Sequence, residues 1–237
     1  MNSVRRVVVA IPARDEEHLL TACLAGVNRA VAALGQVRPD VDAVVVVGLD
    51  NCTDSSAAVA ARAGIRTFVT HGEGVGATRD AAIRHGLAVL GPSVDAEHVE
   101  GHTWLACTDA DTVVPSTWLI RQVMWAESGM NLVIGTVEPI GGSDPAVLAA
   151  WHSRHRLGEG HPYVHGANLG MRAETWRATE GFGHRTLGED VALVARAQAQ
   201  NDRWVATDTT RVATSGRLTG RADGGFADYL KALGEPQ

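Results

Sequence analysis

Hydrophobic residues in the first part of the chain fall into short apolar runs that alternate with amphipathic stretches. Runs rich in β-branched residues, such as 7–11 and 43–49, are typical of strands buried on both faces of a sheet. The predicted strands are 7–11, 43–49, 65–69, 104–107 and 131–137, and the predicted helices are 16–34, a segment ending at 63, 77–90 and 115–127. This alternation predicts an α/β fold with a mostly parallel central sheet flanked by helices.

The pattern loosens after Pro139, where the predicted elements become shorter. They are helices over 145–155, 173–179, 188–200 and 226–233, and strands over 167–171, 204–207 and 211–213. The chain contains no internal repeat and no low-complexity linker. We therefore expect a single domain over 1–237 with two functional halves, 1–112 and 113–237.

Polar residues follow each of the first four predicted strands. Ligands bind at the carboxyl ends of the strands in open parallel sheets, so these positions are expected to share one edge. Each strand end alone is explained by turn chemistry or capping, and Asp15 is expected to cap the helix over 16–34. All four together indicate a ligand site. They are Pro12-Ala13-Arg14-Asp15-Glu16, Asp50-Asn51-Cys52-Thr53-Asp54, the glycine-rich turn 72–76 and Asp109-Ala110-Asp111.

Asp109 and Asp111 come directly after the apolar segment 104–107. Two neighbouring carboxylates repel each other unless a cation lies between them. Mg²⁺ takes one or two carboxylates and fills its other positions with water and phosphate oxygens. The pair therefore predicts either a metal that holds a diphosphate or a polar turn after a strand, and this segment alone does not decide between them.

The glycine-rich turn 72–76 does not match a dinucleotide-binding motif. Its spacing is GxGxG rather than GxGxxG, and it follows the third predicted strand. The turn leads into a helix N-terminus that can approach a phosphate. Arg79, in the first turn of that helix, pairs with a carboxylate or a phosphate in one interpretation and is a solvated surface residue in the other.

Glu189 and Asp190 lie near the start of the predicted helix over 188–200. The helix dipole favours acidic residues there, so a purely structural role explains the pair. The alternative is a general base that takes a proton from an acceptor hydroxyl. Both interpretations stay open on this segment alone.

Four histidines lie close together in the sequence, at His152, His155, His161 and His165. They raise the question of zinc, but no His-Glu-x-x-His or Cys-His pattern accompanies them, and Pro162 interrupts the second pair. We expect hydrogen bonding at an acceptor site or a surface location in preference to a zinc site.

Composition excludes some classes of function. The net charge is -6 and no Lys/Arg run is present, which argues against a nucleic-acid partner. The three cysteines lie far apart without a CxxC pattern, as in a reducing compartment. No apolar run has the length of a signal or transmembrane segment. We therefore expect a cytoplasmic protein, and association with a membrane surface stays open.

Taken together, these segments resemble the family 2 glycosyltransferases, which have a GT-A fold, over residues 7–194. Segment 11–16 resembles the family's opening strand and Pro-x-x-(Asn/Asp)-Glu turn, and 50–54 resembles its Asp-x-Ser-x-Asp segment. Asp109-Ala110-Asp111 resembles its Asp-x-Asp metal motif. The other matches are 76–82, where Asp80 and Ala82 replace the usual Asn and Gly, the acceptor-side segment 166–172 with Gly181-Phe182, and Glu189-Asp190.

The resemblance implies that 1–112 binds the nucleotide sugar and that 113–237 binds the acceptor. It places the nucleotide against Pro12, Ala13, Arg14, Glu16, Asp50, Arg79, Asp109 and Ala110. It places Mg²⁺ or Mn²⁺ on Asp111 with Asp109. It assigns the acceptor or sugar contacts to Gly166, Ala167 and Asn168, and the catalytic base to Asp190 beside Glu189.

By this resemblance the chain is a metal-dependent, hexosyltransferase-like enzyme. It is expected to move a sugar from a UDP- or GDP-linked donor to an unidentified hydroxyl acceptor, with inversion of configuration. GT-A enzymes often supply a further metal ligand, commonly histidine, from the C-terminal part. No histidine follows His184 in this chain. Asp223 or a water would replace that ligand, or the contact would be absent.

Two other functions stay open at this point. A sugar-phosphate nucleotidyltransferase also uses an α/β sheet and metal-binding carboxylates, but it requires a basic, glycine-rich loop after its first strand. This chain has the acidic segment Ala13-Arg14-Asp15-Glu16 there. A non-catalytic nucleotide-sugar-binding protein is compatible with the missing late histidine.

Overall fold

The computed structural model describes residues 3–91, 101–185, 187–200, 203–221 and 224–235. These residues build one eight-stranded sheet with helices on both faces. The strands are β1 (Arg6–Ala13), β2 (Asp42–Asp50), β3 (Arg66–Thr70), β4 (Thr103–Cys107), β5 (Thr112–Val113), β6 (Leu132–Ile140), β7 (Leu169–Arg172) and β8 (Trp204–Ser215). The helices are α1 (Leu20–Val37), α2 (Ser56–Arg62), α3 (Val75–Val89), α4 (Trp118–Glu127), α5 (Pro145–Arg154), α6 (Ala173–Ala178), α7 (Glu189–Gln200) and α8 (Phe226–Gly234), and Gly166–Asn168 form a 3₁₀ turn.

The strand order is β3-β2-β1-β4-β7-β6-β8-β5. The neighbours β3, β2, β1 and β4 are parallel, as are β6 and β8, whereas β7 and β5 run antiparallel to the strands beside them. The carboxyl ends of β1 to β4 therefore meet. Because β7 is antiparallel to β4, with Leu169 opposite Cys107, β7 begins where β4 ends. These ends form one edge of the sheet, the site edge.

The apolar run of β1 is buried on both faces of the sheet. Val7, Val9 and Ile11 pack with α1 and α4, while Val8 and Ala10 pack with α3 on the opposite face, and none of these side chains is exposed. Alternate residues of a strand point to opposite faces, so a continuous apolar run is what two covered faces require. The expected α/β class, with its mostly parallel sheet and flanking helices, is confirmed.

Helix α1 is a core helix of this domain. Within the described ranges it is the one helix with the length and mean hydropathy, 18 residues and 1.2, that a membrane span requires, although no such segment was expected. Its apolar residues, including Leu20, Leu24 and Val27, are buried in the sheet's core, while Asn28 and Arg29 on the other side are exposed. This one-sided burial explains its hydropathy, because the apolar face packs against protein.

Asp15 does not cap the first helix, and α1 begins at Leu20 rather than at 16. The backbone at Asp15 has a φ of +52°. Its Oδ1 accepts hydrogen bonds from the backbone N–H groups of Thr53 and Asp54, at 2.7 and 3.3 Å. The predicted cap was wrong because this side chain finds its partners in the connection after β2, which the local sequence does not reveal.

The C-terminal part also differs from expectation. The predicted strands over 204–207 and 211–213 are one strand, β8, which pairs with β6 across a register shift between Gly135 and Val137. A β-bulge lets the hydrogen-bonded pairing of two strands continue past residues that interrupt the apolar pattern in the sequence. The two-residue strand β5 was not predicted at all. The segment 91–101, between the predicted helix over 77–90 and the predicted strand over 104–107, lies for the most part outside the described residues.

Candidate functional site

The segment Asp109-Ala110-Asp111 follows the end of β4 and lies at the site edge. The Thr112 N–H donates a hydrogen bond to the Asp109 carbonyl at 3.1 Å, which closes the turn. Thr112 then pairs with Thr214 of β8, and their hydroxyl groups are 2.9 Å apart. The short antiparallel pairing of β5 with β8 therefore fixes the backbone beside Asp111.

Arg79 is a buried ion-pair residue, not a solvated one. Its side chain is 1% exposed, and its guanidinium donates to Asp109 Oδ1 at 2.8 Å and to Glu189 Oε1 at 3.1 Å. Burial lowers the pKa of Arg79, but the negative charges of Asp109 and Glu189 outweigh it and raise the pKa above its ordinary value. The guanidinium also lies 4.7 Å from the centroid of the Phe182 ring. Arg79 therefore ties the Asp-x-Asp segment to the Glu-Asp pair.

Glu189 and Asp190 begin α7 and have different surroundings. Glu189 is buried beside Arg79; burial raises its pKa, and the Arg79 charge opposes that rise. Asp190 is half-buried, and it accepts hydrogen bonds from the Gly166 N–H at 2.7 Å and the Val191 N–H at 2.8 Å. A carboxylate has about four acceptor sites, so Asp190 keeps the capacity to accept a further hydrogen bond.

Gly166 and Asn168, both expected at the acceptor or sugar, have distinct positions. A Cβ on Gly166 would lie 2.7 Å from Arg79 Nη2, so glycine is what lets the guanidinium pack here. Asn168 is fully buried; its Nδ2 donates to the carbonyls of Thr136 and Thr210 at 2.8 Å, and its Oδ1 accepts from Trp118 Nε1 at 2.9 Å. The Asn168 side chain thus holds the start of β7 inside the domain, and Ala167 beside it is also buried.

Five of the residues expected at the nucleotide lie at or just after the ends of β1 and β2: Pro12, Ala13, Arg14, Glu16 and Asp50. Pro12 and Ala13 are buried, whereas Arg14 is exposed. Asp50 is buried, and its Oδ1 accepts hydrogen bonds from the Thr70 hydroxyl at 3.0 Å and the Gly72 N–H at 2.6 Å. Asp50 therefore joins the end of β2 to the glycine-rich turn after β3.

Arg217 is a residue of the site that the sequence did not reveal. It follows β8, and its guanidinium forms a two-pronged ion pair with Glu16, with Nη1 2.7 Å from Oε2 and Nη2 2.5 Å from Oε1. The same Nη2 lies 3.0 Å from Asp111 Oδ2. Arg221, further along the same segment, donates to the carbonyls of Arg14 and Asp15. No local pattern marks Arg217, because its partners are far away in the sequence.

The carboxylates at the end of β4 fit a hard divalent cation. Asp111 is mostly buried; burial raises its pKa to about 6, together with the negative charges of Asp109 and Glu16 and against that of Arg217. Carboxylate oxygens are the ligands that Mg²⁺ and Mn²⁺ prefer. Asp111 and Asp109 are therefore able to hold such a cation. Asp223, expected as a substitute ligand, lies outside the described residues.

A second group of potential metal ligands lies after β1 and β2. One ligand atom each from Asp15, Cys52 and Asp54 lies within 4.8 Å of the others. These groups already have protein partners: Asp15 accepts from Thr53, the Cys52 thiol donates to the Ala13 carbonyl at 3.4 Å, and Asp54 accepts from backbone N–H groups. The group is therefore accounted for by the packing of the two connections.

The four clustered histidines have ring and backbone partners. His155 stacks on Trp151 at 4.3 Å between ring centroids, and His161 Nε2 lies 3.1 Å from the Ile134 carbonyl. His165 lies edge-on to Phe226, and burial lowers the pKa of its imidazole to about 4. Within the described part of the chain these imidazoles do not converge as zinc ligands.

Asp80 is a second residue whose role the sequence did not reveal. Its carboxylate accepts hydrogen bonds from Trp176 Nε1 at 2.7 Å and from the backbone N–H groups of Phe182 and Gly183, at 3.1 and 3.0 Å. The acid in place of the family's usual Asn thus anchors the loop that leads to Glu189. The signal in the sequence that could have revealed this role was Asp80 itself, which replaces the usual Asn in the first turns of α3.

Comparisons with known proteins show similar folds. The chain is similar to S. aureus TarS 1-349 in complex with UDP-GlcNAc, with a TM-score of 0.64 and 11% identity over 94% of this chain and 62% of that one. It is similar to M. tuberculosis glucosyl-3-phosphoglycerate synthase (TM-score 0.55, 17% identity, 97% of this chain and 76% of that one). It is also similar to the mannosyltransferase PcManGT from Pyrobaculum calidifontis in complex with GDP-Man and Mn²⁺ (TM-score 0.62, 15% identity, 97% and 69%).

The chain spans less than two thirds of the length of the TarS structure in complex with UDP-GlcNAc. No curated protein matches it. At these identities the structures establish the fold, and the expected GT-A fold is confirmed. Residues 8–187 match the model of the family described as Glycosyl transferase family 2. Since that match covers most of the chain and includes the Asp-x-Asp segment, the chain belongs to glycosyltransferase family 2.

Proposed function

We propose that this chain transfers a glycosyl group from a nucleotide-diphospho-sugar to a hydroxyl acceptor, with inversion at the anomeric carbon. The observation that carries the proposal is the buried Arg79, which links Asp109 of the Asp-x-Asp segment to Glu189, the neighbour of Asp190. This link brings Asp109 and Asp111 to the same edge of the sheet as the half-buried Asp190, which supports a site that takes both a donor and an acceptor.

The donor half of the site is proposed to be formed by the ends of β1, β2 and β4. Pro12, Ala13 and Asp50 would border the nucleoside, and Asp109 and Asp111 would face its diphosphate. Similar structures support a nucleotide-sugar donor, since TarS is described with UDP-GlcNAc and PcManGT with GDP-Man and Mn²⁺. A divalent cation held by Asp111 and Asp109 would neutralise the charge that develops on the departing diphosphate.

Asp190 is the proposed general base. Its two backbone hydrogen bonds fix the carboxylate, and its remaining acceptor sites can receive the acceptor's O–H group. The acceptor oxygen forms the new bond to the anomeric carbon, the acceptor's proton passes to Asp190, and the electron pair of the broken C–O bond leaves with the nucleoside diphosphate. Attack opposite the leaving group inverts the configuration.

The decisive experiment uses Asp111→Asn, which keeps the size of the side chain and removes its charge. We expect loss of Mn²⁺-stimulated donor hydrolysis and transfer, by about 100-fold or more, because one anionic metal ligand is lost. The measurement is release of nucleoside diphosphate from UDP- and GDP-sugars. Asp42→Asn is the matched control, since Asp42 is exposed at the start of β2, at the opposite edge of the sheet. Undiminished turnover in Asp111→Asn would remove the metal role.

The variant Asp190→Asn distinguishes a role of Asp190 as general base from a role as a structural helix cap. The amide oxygen can still accept from Gly166, so we expect the donor's Kd to stay within about twofold while kcat falls by about 100-fold or more. A parallel loss of donor affinity and kcat would assign Asp190 a structural role instead. Donor binding without hydrolysis or transfer in the unchanged protein would favour a non-catalytic binding protein.

A further inference from the structure

The positively charged guanidinium of Arg217 lies beside the carboxylate of Asp111, the proposed metal ligand. Its Nη2 lies 3.0 Å from Asp111 Oδ2 and is shared with Glu16. The Glu16 side chain is 7% exposed, whereas that of Arg217 is 25% exposed. The guanidinium therefore has one enclosed partner that holds it beside Asp111, while part of the Arg217 side chain is accessible to solvent.

The backbone around Arg217 is held on several sides. The Ser215 N–H donates to the Asp111 carbonyl at 3.1 Å, and the Gly216 N–H donates to the Ile140 carbonyl at 3.0 Å. The Ser143 hydroxyl donates to the Gly216 carbonyl. Because the pairing of β8 with β5 and β6 sets this segment, the side chain projects from a fixed support and is not a mobile surface arginine.

A divalent cation on Asp111 and the present position of Arg217 are in electrostatic conflict. The guanidinium, which is shared with Glu16, already offsets part of the Asp111 charge at 3.0 Å, and a second cation on the same carboxylate would lie within a few ångströms of it. An anion between the two cations removes the repulsion. A diphosphate is suited to this, since one set of its oxygens binds the metal while another accepts the planar fork of an arginine.

We propose that Arg217 competes with the divalent cation for Asp111 in the free protein and binds the donor's diphosphate in the loaded one, so that cation and nucleotide bind cooperatively. Glu16 is the positioning residue that keeps the guanidinium beside the site in both states. This inference rests on the proposed function, because it requires a diphosphate donor. In this inference Arg217, a basic residue in the segment after β8, is a ligand of the diphosphate.

The test compares the unchanged chain with Arg217→Gln in three titrations. Mn²⁺ alone is followed by electron paramagnetic resonance, UDP and GDP alone are followed by calorimetry in EDTA, and then the nucleotide that binds more tightly is titrated with Mn²⁺ present. In Arg217→Gln we expect Mn²⁺ alone to bind about fivefold more tightly, because a competing charge is gone. We expect the nucleotide alone to bind about tenfold more weakly. The cooperativity factor between the two ligands then falls at least about fivefold.

Two further variants serve as controls for Arg217→Gln. Arg217→Lys keeps the charge but not the fork, so Mn²⁺ affinity stays near that of the unchanged chain while nucleotide affinity falls. Arg221→Gln is the matched control, because Arg221 bonds to backbone carbonyls of Arg14 and Asp15 and its closest approach to Glu16 is 3.9 Å. It should leave Mn²⁺ affinity within about twofold. Thermal unfolding of each variant verifies the fold.

The possible outcomes distinguish this inference from the proposed function. If the unchanged chain binds UDP or GDP with Mn²⁺ but Arg217→Gln binds Mn²⁺ no more tightly, the competition is overturned while the proposed function stands. Unaltered nucleotide affinity in Arg217→Gln overturns the diphosphate contact. If the unchanged chain binds neither nucleotide, both the proposed function and this inference fail.

Discussion

Arg79 is enclosed by the carboxylates of Asp109, after β4, and Glu189, at the start of α7, and by the Phe182 ring, with Gly166 against its guanidinium. The sequence left two interpretations open for Arg79, a pair with a carboxylate or phosphate and a solvated surface residue. The decision depends on how far the guanidinium is removed from water, which follows from the approach of α7 and the turn before β7. Burial of the guanidinium costs free energy, and its ion pairs with Asp109 and Glu189 offset that cost.

Replacing Arg79 by Met tests this enclosure. The change leaves the buried Glu189 and the part-exposed Asp109 without their cation, so we expect the free energy of unfolding to fall by about 3 kcal/mol. Denaturant unfolding followed by circular dichroism measures it. Arg84→Met is the control on the same helix, since Arg84 is exposed, and it should cost less than about 1 kcal/mol. Equal losses in the two variants would contradict a special role for Arg79.

At the scale of the element, α3 is held close to the sheet by glycine. A Cβ added to Gly86 would lie 2.4 Å from Val8 Cγ1, in the middle of the sheet's core. This close approach brings the first turn of α3, and with it Arg79, down onto the carboxyl ends of the strands. The sequence predicted the helix and the strand separately, but the distance between them is a property of the packed pair.

Gly86→Ala should therefore destabilise the protein by about 1–3 kcal/mol, because the stiff Val8 side chain cannot yield without repacking. Gly35→Ala in α1 is the opposite case: nothing lies within 4 Å of its new Cβ, so we expect stabilisation of about 0.5–1 kcal/mol from the higher helix propensity of alanine. Urea unfolding midpoints of the two variants give the comparison. A stabilised Gly86→Ala would show that the core can accommodate the methyl group.

The elements themselves were predictable to different degrees. The strands β1, β2 and β4 are continuous apolar runs, and their burial on both faces leaves little alternative. Asp15 was wrongly predicted to be a helix cap. Strand β5 was not predicted, and β8 was predicted as two separate strands. In each of these cases the controlling partner lies in a distant segment: Thr53 for Asp15, and the ladder with β6 and β5 for β8.

At the scale of the whole molecule, one antiparallel strand unites the two halves of the site. Because β7 runs against β4, the turn over Gly166–Asn168 lies beside the end of β4, and Gly166 bonds to Asp190. A parallel β7 would have placed that turn at the other edge of the sheet. The division into a nucleotide half, 1–112, and an acceptor half, 113–237, stays a prediction, with Arg79 as one of the contacts between them.

A ligand that binds across these parts should stabilise the whole domain. At a concentration of 100 times its Kd, a ligand adds about 2.7 kcal/mol, which raises the Tm of a domain of this size by about 5–10 °C. We therefore expect UDP or GDP with Mn²⁺ to raise the Tm by this amount in a thermal-shift panel. The nucleotide that gives the larger shift identifies the donor's base. ATP with Mn²⁺ is the control, and an equal shift with ATP would contradict recognition of the donor base.

The sequence by itself determined the α/β class, the order of the elements and the polar strand ends, because hydrophobic period and turn chemistry act over a few residues. It also led, by resemblance, to the family that the match over 8–187 establishes. Only the tertiary structure decided that Arg79 is buried between Asp109 and Glu189, that Asn168 faces inward, and that Arg217 reaches Glu16 and Asp111. These contacts join residues far apart in the chain, and their geometry follows from sheet order and helix packing, which no local pattern encodes.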